Sequence, residues 1–171
     1  TTTQVGGLTS TQVGALTTAQ ARALETADLA VLTTTQLRGL TAAQTAALTT
    51  TQIGVLTTTQ VGALTATQLA GLTSTQVASL STSQIGALAT TQIAALSTLQ
   101  VRALETADLA ALTTTQMGGL TSAQLGSLTT IQLGALETTD LAVLTTTQLR
   151  GLAAAQMAGL TTTQVGALST T

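Results

Sequence analysis

The side chains that could do chemistry are few. Three acidic pairs share the spacing Glu-Thr-x-Asp: Glu25 with Asp28, Glu105 with Asp108, and Glu137 with Asp140. Arg22, Arg38, Arg102 and Arg150 are the only basic side chains, and Lys, His, Cys, Tyr, Phe, Trp, Asn and Pro are absent. Two carboxylates three residues apart could hold a divalent cation. Calcium, however, takes about six to eight oxygens, and each motif offers two carboxylates without an Asp-rich or Gly-Asp loop. The structural reading is an altered helix start, with the Asp complementing the helix dipole and a nearby Arg forming a local ion pair. Ser or Thr needs an adjacent base to act as a nucleophile, and His, Lys, Cys and Tyr are all missing. No glycine motif suits a phosphate, and Met117 and Met157 read as core. We therefore expect no enzyme, no catalytic residues, no cofactor and no metal site.

Composition narrows the class further. Of 171 residues, 44% are hydrophobic and 6% charged, with a net charge of −2. Ordinary soluble domains are about one quarter charged, and disordered chains combine low hydrophobicity with high charge; this chain fits neither pattern. The slight negative charge argues against nucleic acid and anionic membrane surfaces as partners. Thr and Gln recur too often for an apolar run of ~18 residues, so no membrane insertion is expected. No signal peptide is visible. Without Cys there are no disulfides.

The elements that must position these residues follow one pattern. Read from residue 1 in blocks of eight, the chain is a single uninterrupted array over 1–171: 21 octads followed by Ser169-Thr170-Thr171. Thr57-Thr58-Thr59-Gln60-Val61-Gly62-Ala63-Leu64 is representative. Position 1 is Thr or Ser, except for Glu25, Glu105, Glu137, Ala89 and Ala153. Position 4 is Gln, except for Asp28, Asp108 and Asp140. Position 5 is Val, Leu, Ile or Met, except for Ala21 and Thr45; position 8 is always Leu. Gly and Ala dominate positions 6 and 7.

A continuous α-helix fails, because eight residues advance ~800° and the apolar stripe would rotate ~80° per octad. A β-solenoid is the alternative fold, since Thr, Val and Ile suit strands. Against it, positions 5 and 8 would face opposite sides of a straight strand, and no position is reserved for a corner residue. Positions 6 and 7 accept Ala, and position 6 also accepts Arg, so the glycines there are expected to serve by small size, not by positive φ. The reading that accounts for positions 1, 4, 5 and 8 together is an all-α solenoid of very short capped helices, one per octad. With Thr57 as N-cap, Gln60 falls at N3 and completes a capping box, while Leu56 and Val61 form a hydrophobic staple. Such a helix is too short to stand alone and must stack on neighbours.

Charge placement suggests the size of the coil. With octads numbered from the first, the acids lie in octads 4, 14 and 18 and the arginines in octads 3, 5, 13 and 19. Leu99 and Ile131, the apolar outliers at position 3, also lie in odd octads. This parity predicts two octads, or sixteen residues, per coil.

Two surface features remain. Thr at positions 1 to 3 would form evenly spaced ranks, as in an ice-binding face or simply in a solvated one. Residues 39–101 contain no charged side chain, and low charge does little to prevent association. Solenoids usually carry distinct polar caps, whereas both ends here look like the middle. Self-association, lateral or end to end, is therefore expected, as is an origin within a longer array.

The unit resembles the Leu-Thr-Thr-x-Gln-Val-x-Ala-Leu octads of long arrays in very large secreted bacterial surface proteins, and the likeness covers the whole chain. The resemblance implies an extracellular shaft, adhesin or filament region exported by a Gram-negative type I route. It supplies no functional residues to carry over.

Overall fold

The computed structural model describes residues 1–168; the tail, Ser169 to Thr171, lies outside the described residues. Each octad forms one α-helix, from Thr2–Gly6 through Thr58–Ala63 to Thr162–Leu168. No strand occurs among the described residues, so the β-solenoid is not the fold. The helices are four to seven residues long, mostly five or six.

Their starts have the expected geometry. Thr57 is the N-cap of Thr58–Ala63, and its hydroxyl accepts from the Gln60 N–H at 3.1 Å. The Gln60 Oε1 in turn accepts from the Thr57 N–H at 2.8 Å. Two backbone donors that a helix start leaves unpaired are satisfied reciprocally. The staple residues Leu56 and Val61 are both buried. Thr45, the one polar side chain at position 5, is buried with its hydroxyl donating to the Thr41 carbonyl at 3.0 Å.

Helix ends are made without a left-handed residue. No residue, glycine included, has a positive φ among the described residues. Leu64 closes its helix with φ −58° and ψ 142°, and Thr65 follows at −71° and 156°. Two extended residues thus link one helix to the next.

Those junctions decide the coil, and the sixteen-residue coil is not what forms. Helix Ser10–Gly14 packs on Thr34–Gly39, Ala42–Ala47 on Ala66–Gly71, and Thr138–Ala142 on Thr162–Leu168. Each partner lies three octads along, while side-chain hydrogen bonds reach back 28 to 31 residues into the fourth octad before. One turn therefore takes between three and four octads. A two-octad coil would need every junction to reverse the chain, and extended residues without a left-handed one do not supply that reversal. Charge parity consequently marks no face.

The chain divides into two compact units, Thr1–Leu88 and Ala89–Thr171. The interior of each is lined by positions 5 and 8: Leu37, Ile53, Val61 and Leu69 in the first, Leu109, Met117, Leu125 and Leu133 in the second, all fully buried, with the position-8 leucines beside them. Position 1, by contrast, is almost always exposed.

Small residues set the spacing between helices three octads apart. A Cβ on Gly14 would stand 2.6 Å from the Gly39 carbonyl oxygen, and one on Gly39 would overlap the Ser10 carbonyl. Gly126, Gly151 and Ser122 repeat this arrangement in the second unit. Position 6 thus faces position 7 of the octad three later, and position 7 faces position 2 of the octad three earlier. Glycine serves here by absence of bulk, as expected. Gly39→Ala should accordingly cost about 1–3 kcal/mol, because backbone must move. Gly118→Ala, with nothing within 4 Å of its added Cβ, should be neutral or stabilising by up to about 1 kcal/mol. Chemical denaturation of the two variants checks both signs.

Candidate functional site

The most elaborate polar arrangement in the protein is built from the position-4 glutamines. Each sits at N3 of a helix, so the chain direction at the cap aims its amide inward, across the interface between turns. The Oε1 completes the cap of its own helix, and the Nε2 is left to find acceptors. In Gln60 it donates to the carbonyls of Leu29 at 3.0 Å and Leu32 at 2.8 Å. In Gln68 it donates to Leu37 and Leu40, both at 2.7 Å. In Gln76 the acceptors are Ala46 at 3.1 Å and Leu48 at 2.5 Å. The same 28-residue step recurs for each octad from Gln36 to Gln84. In the second unit it joins Gln124 to Leu96, Gln132 to Leu104, Gln148 to Leu120, Gln156 to Leu128 and Gln164 to Leu136.

These acceptors lie at helix C-termini; the position-5 carbonyls Leu29 and Leu37 also accept from the N–H groups of Leu32 and Leu40. One amide therefore caps the start of its own helix and the end of a helix one turn earlier. All of these glutamines are buried, where an unpaired amide would cost about 1–3 kcal/mol. The sequence reading found the Oε1 half of this arrangement and missed the Nε2 half. A signal was present: Ala89 and Ala153 cannot cap through a side chain, yet Gln92 and Gln156 persist. Their Oε1 atoms still accept from the Ala89 N–H at 2.5 Å and the Ala153 N–H at 2.7 Å.

The acidic motifs are altered helix starts. Asp28, Asp108 and Asp140 stand at N3 and accept from the N–H groups of Glu25, Glu105 and Glu137 at 3.2, 3.1 and 3.3 Å. Asp is one carbon shorter than Gln and, ionised, has no proton to donate. Asp140 is buried, whereas Glu137 is exposed. Burial, chiefly, and the nearby Glu137 carboxylate push the Asp140 carboxyl above its usual range, against the Glu137 N–H, which lowers it. No group of three or more acidic, His or Cys side chains comes together among the described residues.

The arginines depart from the expected local ion pairing. No ion pair joins Arg22, Arg38, Arg102 or Arg150 to an acid among the described residues. Arg38 instead donates through Nε to the Ala63 carbonyl at 2.7 Å. The reason is the coil: position 6 faces the octad three later, not the adjacent octad that carries the acids. Met117 is buried in the core as expected, while Met157, in the last turn, is 37% exposed.

The ALTTAQ repeat matches residues 21–58, 46–74, 61–104, 101–138 and 133–170. The chain belongs to the ALTTAQ repeat family. The six letters themselves stand at Ala15 to Gln20. In the interior of the array the corresponding segment, Ala63 to Gln68, runs from a small residue at position 7 through the buried Leu64 and the capping Thr65 to the bridging Gln68. No curated protein matches the chain.

Two substitutions separate the halves of the bridge. Gln76→Glu keeps the acceptor for the Thr73 N–H, 2.7 Å away in the native protein, but loses both donors and faces carbonyls with a buried carboxylate. A loss of about 3 kcal/mol is expected by thermal or urea denaturation at pH 7. Asp140→Gln should do the opposite, adding Nε2 bonds to the octad 28 to 31 residues earlier and stabilising by about 1–2 kcal/mol at pH 7. The pH dependence has a definite sign. Because the folded Asp140 binds its proton more tightly than the unfolded chain does, its contribution is most favourable below the ordinary aspartate range. That contribution is lost as pH rises through the raised folded value. The advantage of Asp140→Gln should therefore grow with pH across this window, as melting curves at several pH values would report.

Proposed function

We propose that this chain is a non-catalytic structural repeat, forming a rigid shaft or self-assembling filament region of an extracellular bacterial surface protein. The observation that supports this most is the use of the buried glutamine amides. Each glutamine from Gln36 to Gln84 in the first unit, and each from Gln124 to Gln164 in the second, ties a turn to an earlier turn. Regular turn-to-turn bonding repeated along a chain suits a load-bearing element. The outward positions carry mostly Thr, Ser and Ala, a solvated face without grouped chemistry. The octad's likeness to arrays of large secreted proteins supports the extracellular placement and the role as shaft or adhesin region. No described helix is long and apolar enough to cross a membrane.

A second reading, a module that binds ice or another ordered surface, is favoured by one observation: Thr57, Thr58 and Thr59, and likewise Thr113, Thr114 and Thr115, are all exposed. Small-angle scattering and freezing measurements on the purified chain test the two together. A shaft should give a radius of gyration clearly above the ~16 Å of a compact domain of this length and no thermal hysteresis. A value at the compact limit would sink the shaft; thermal hysteresis with ice shaping would put the second reading in its place.

A further inference from the structure

We infer that the octad of Asp140 is a proton-operated seam: with the carboxylate ionised this octad comes away from the preceding turn ahead of its neighbours, and with the carboxyl neutral it stays seated. The seam is a property of the folded turns, so it operates alike in a shaft and in a surface-binding module.

Asp140 lies inside the second unit, between two octads that are tied. Before it, Gln132 donates to the carbonyls of Arg102 at 3.0 Å and Leu104 at 2.7 Å. After it, Gln148 donates to those of Gly118 at 3.0 Å and Leu120 at 2.6 Å. The same steps back from position 140 arrive at Ala110 and Leu112. Among the described residues no side chain donates to either carbonyl. Asp140 is buried, as are Leu141 and Leu144, but its carboxylate accepts locally, from the Glu137 N–H at 3.3 Å. Packing alone therefore holds this octad to the turn before, whereas amides hold the octads on both sides.

Charge makes the seam switchable. The slot that elsewhere receives an amide donor ends here at the C-terminus of helix Thr106–Ala110, where carbonyl oxygens carry partial negative charge. A carboxylate in that slot is both desolvated and opposed by those oxygens, and both effects favour its neutral form. The raised Asp140 carboxyl agrees, with burial as the largest cause. Helices Thr114–Gly118 and Thr162–Leu168, which pack on Thr138–Ala142, carry no titratable side chain. Glu105 and Asp108 stand at the opposite, N-terminal end of Thr106–Ala110. Glu137 and Arg150, on the octad itself and the next, are exposed. The seam is seated below the ordinary aspartate value of about 4 and loosens as pH rises through the raised folded value. This is the reverse of acid denaturation.

Amide hydrogen exchange on the whole chain tests the seam. The Leu141 N–H donates to the Glu137 carbonyl and the Leu144 N–H to the Leu141 carbonyl, both at 3.2 Å. In the tied octad before, Leu133 and Leu136 make the equivalent bonds at 2.9 and 3.2 Å. At neutral pH, protection factors at Leu141 and Leu144 should be about 10-fold below those at Leu133 and Leu136, the size of one missing bond to a buried group. Below about pH 4 the gap should close. Asp140→Asn removes the charge and keeps an oxygen for the cap, and Asp140→Gln restores the residue of the other octads. Either should close the gap at neutral pH and remove its pH dependence, with circular dichroism as helical as the native chain. Glu137→Gln, which neutralises the neighbouring carboxylate, should leave the pH dependence in place. Equal protection of the two octads in the native chain at neutral pH, a gap that persists in acid, an Asn variant that keeps the gap, or a Glu137→Gln variant that loses the pH dependence would each overturn the proposal.

Discussion

The structure depends on one side-chain amide having two ends. A helix of five residues has almost no backbone hydrogen bonds of its own, because the unpaired groups at its two ends outnumber the bonds within it. The position-4 Gln reduces both deficits at once. Its oxygen completes the N-terminal cap, and its nitrogen takes carbonyls at the C-terminal end of a helix one turn earlier, as Gln60 does with Leu29 and Leu32. Local capping and long-range stacking are thereby the same interaction. This explains why helices this short persist in a chain whose Thr content alone would disfavour helix interiors.

The remaining positions follow from that geometry. For the Nε2 to reach across, helices of successive turns must approach closely, and Gly and Ala at positions 6 and 7 permit this. Gly14 and Gly39 face each other so tightly that a Cβ on either would meet backbone. The apolar side chains at positions 5 and 8 fill the space enclosed by the turn, and their burial drives the stacking that the amides orient. Where Asp replaces Gln, the cap survives and the donor across the turn is lost. The raised carboxyl of Asp140 reports the cost of placing an acid in a slot shaped for an amide.

Such an array concentrates its specificity in the backbone contacts between turns. The outward side chains are thus free to vary, and they do: Leu99 and Ile131 stand at position 3, 71% and 77% exposed. Arg38 shows how even a large side chain is accommodated at position 6, by reaching outward to the Ala63 carbonyl.

What the sequence by itself determined is everything that acts over a few residues. The cap at Thr57, the reciprocal Gln60, the staple between Leu56 and Val61, the inward direction of positions 5 and 8, and the role of small residues at 6 and 7 were all legible. Each depends on spacings of three to five residues within one chain segment. What only the tertiary structure decided is the number of octads per turn and the second partner of the glutamine. Both depend on the angle through which two extended residues, such as Leu64 and Thr65, turn the chain, summed over successive octads. No residue type marks that angle, because no left-handed position is required. The charges are no guide to that angle: the arginines and glutamates are exposed, and the aspartates cap their own helices.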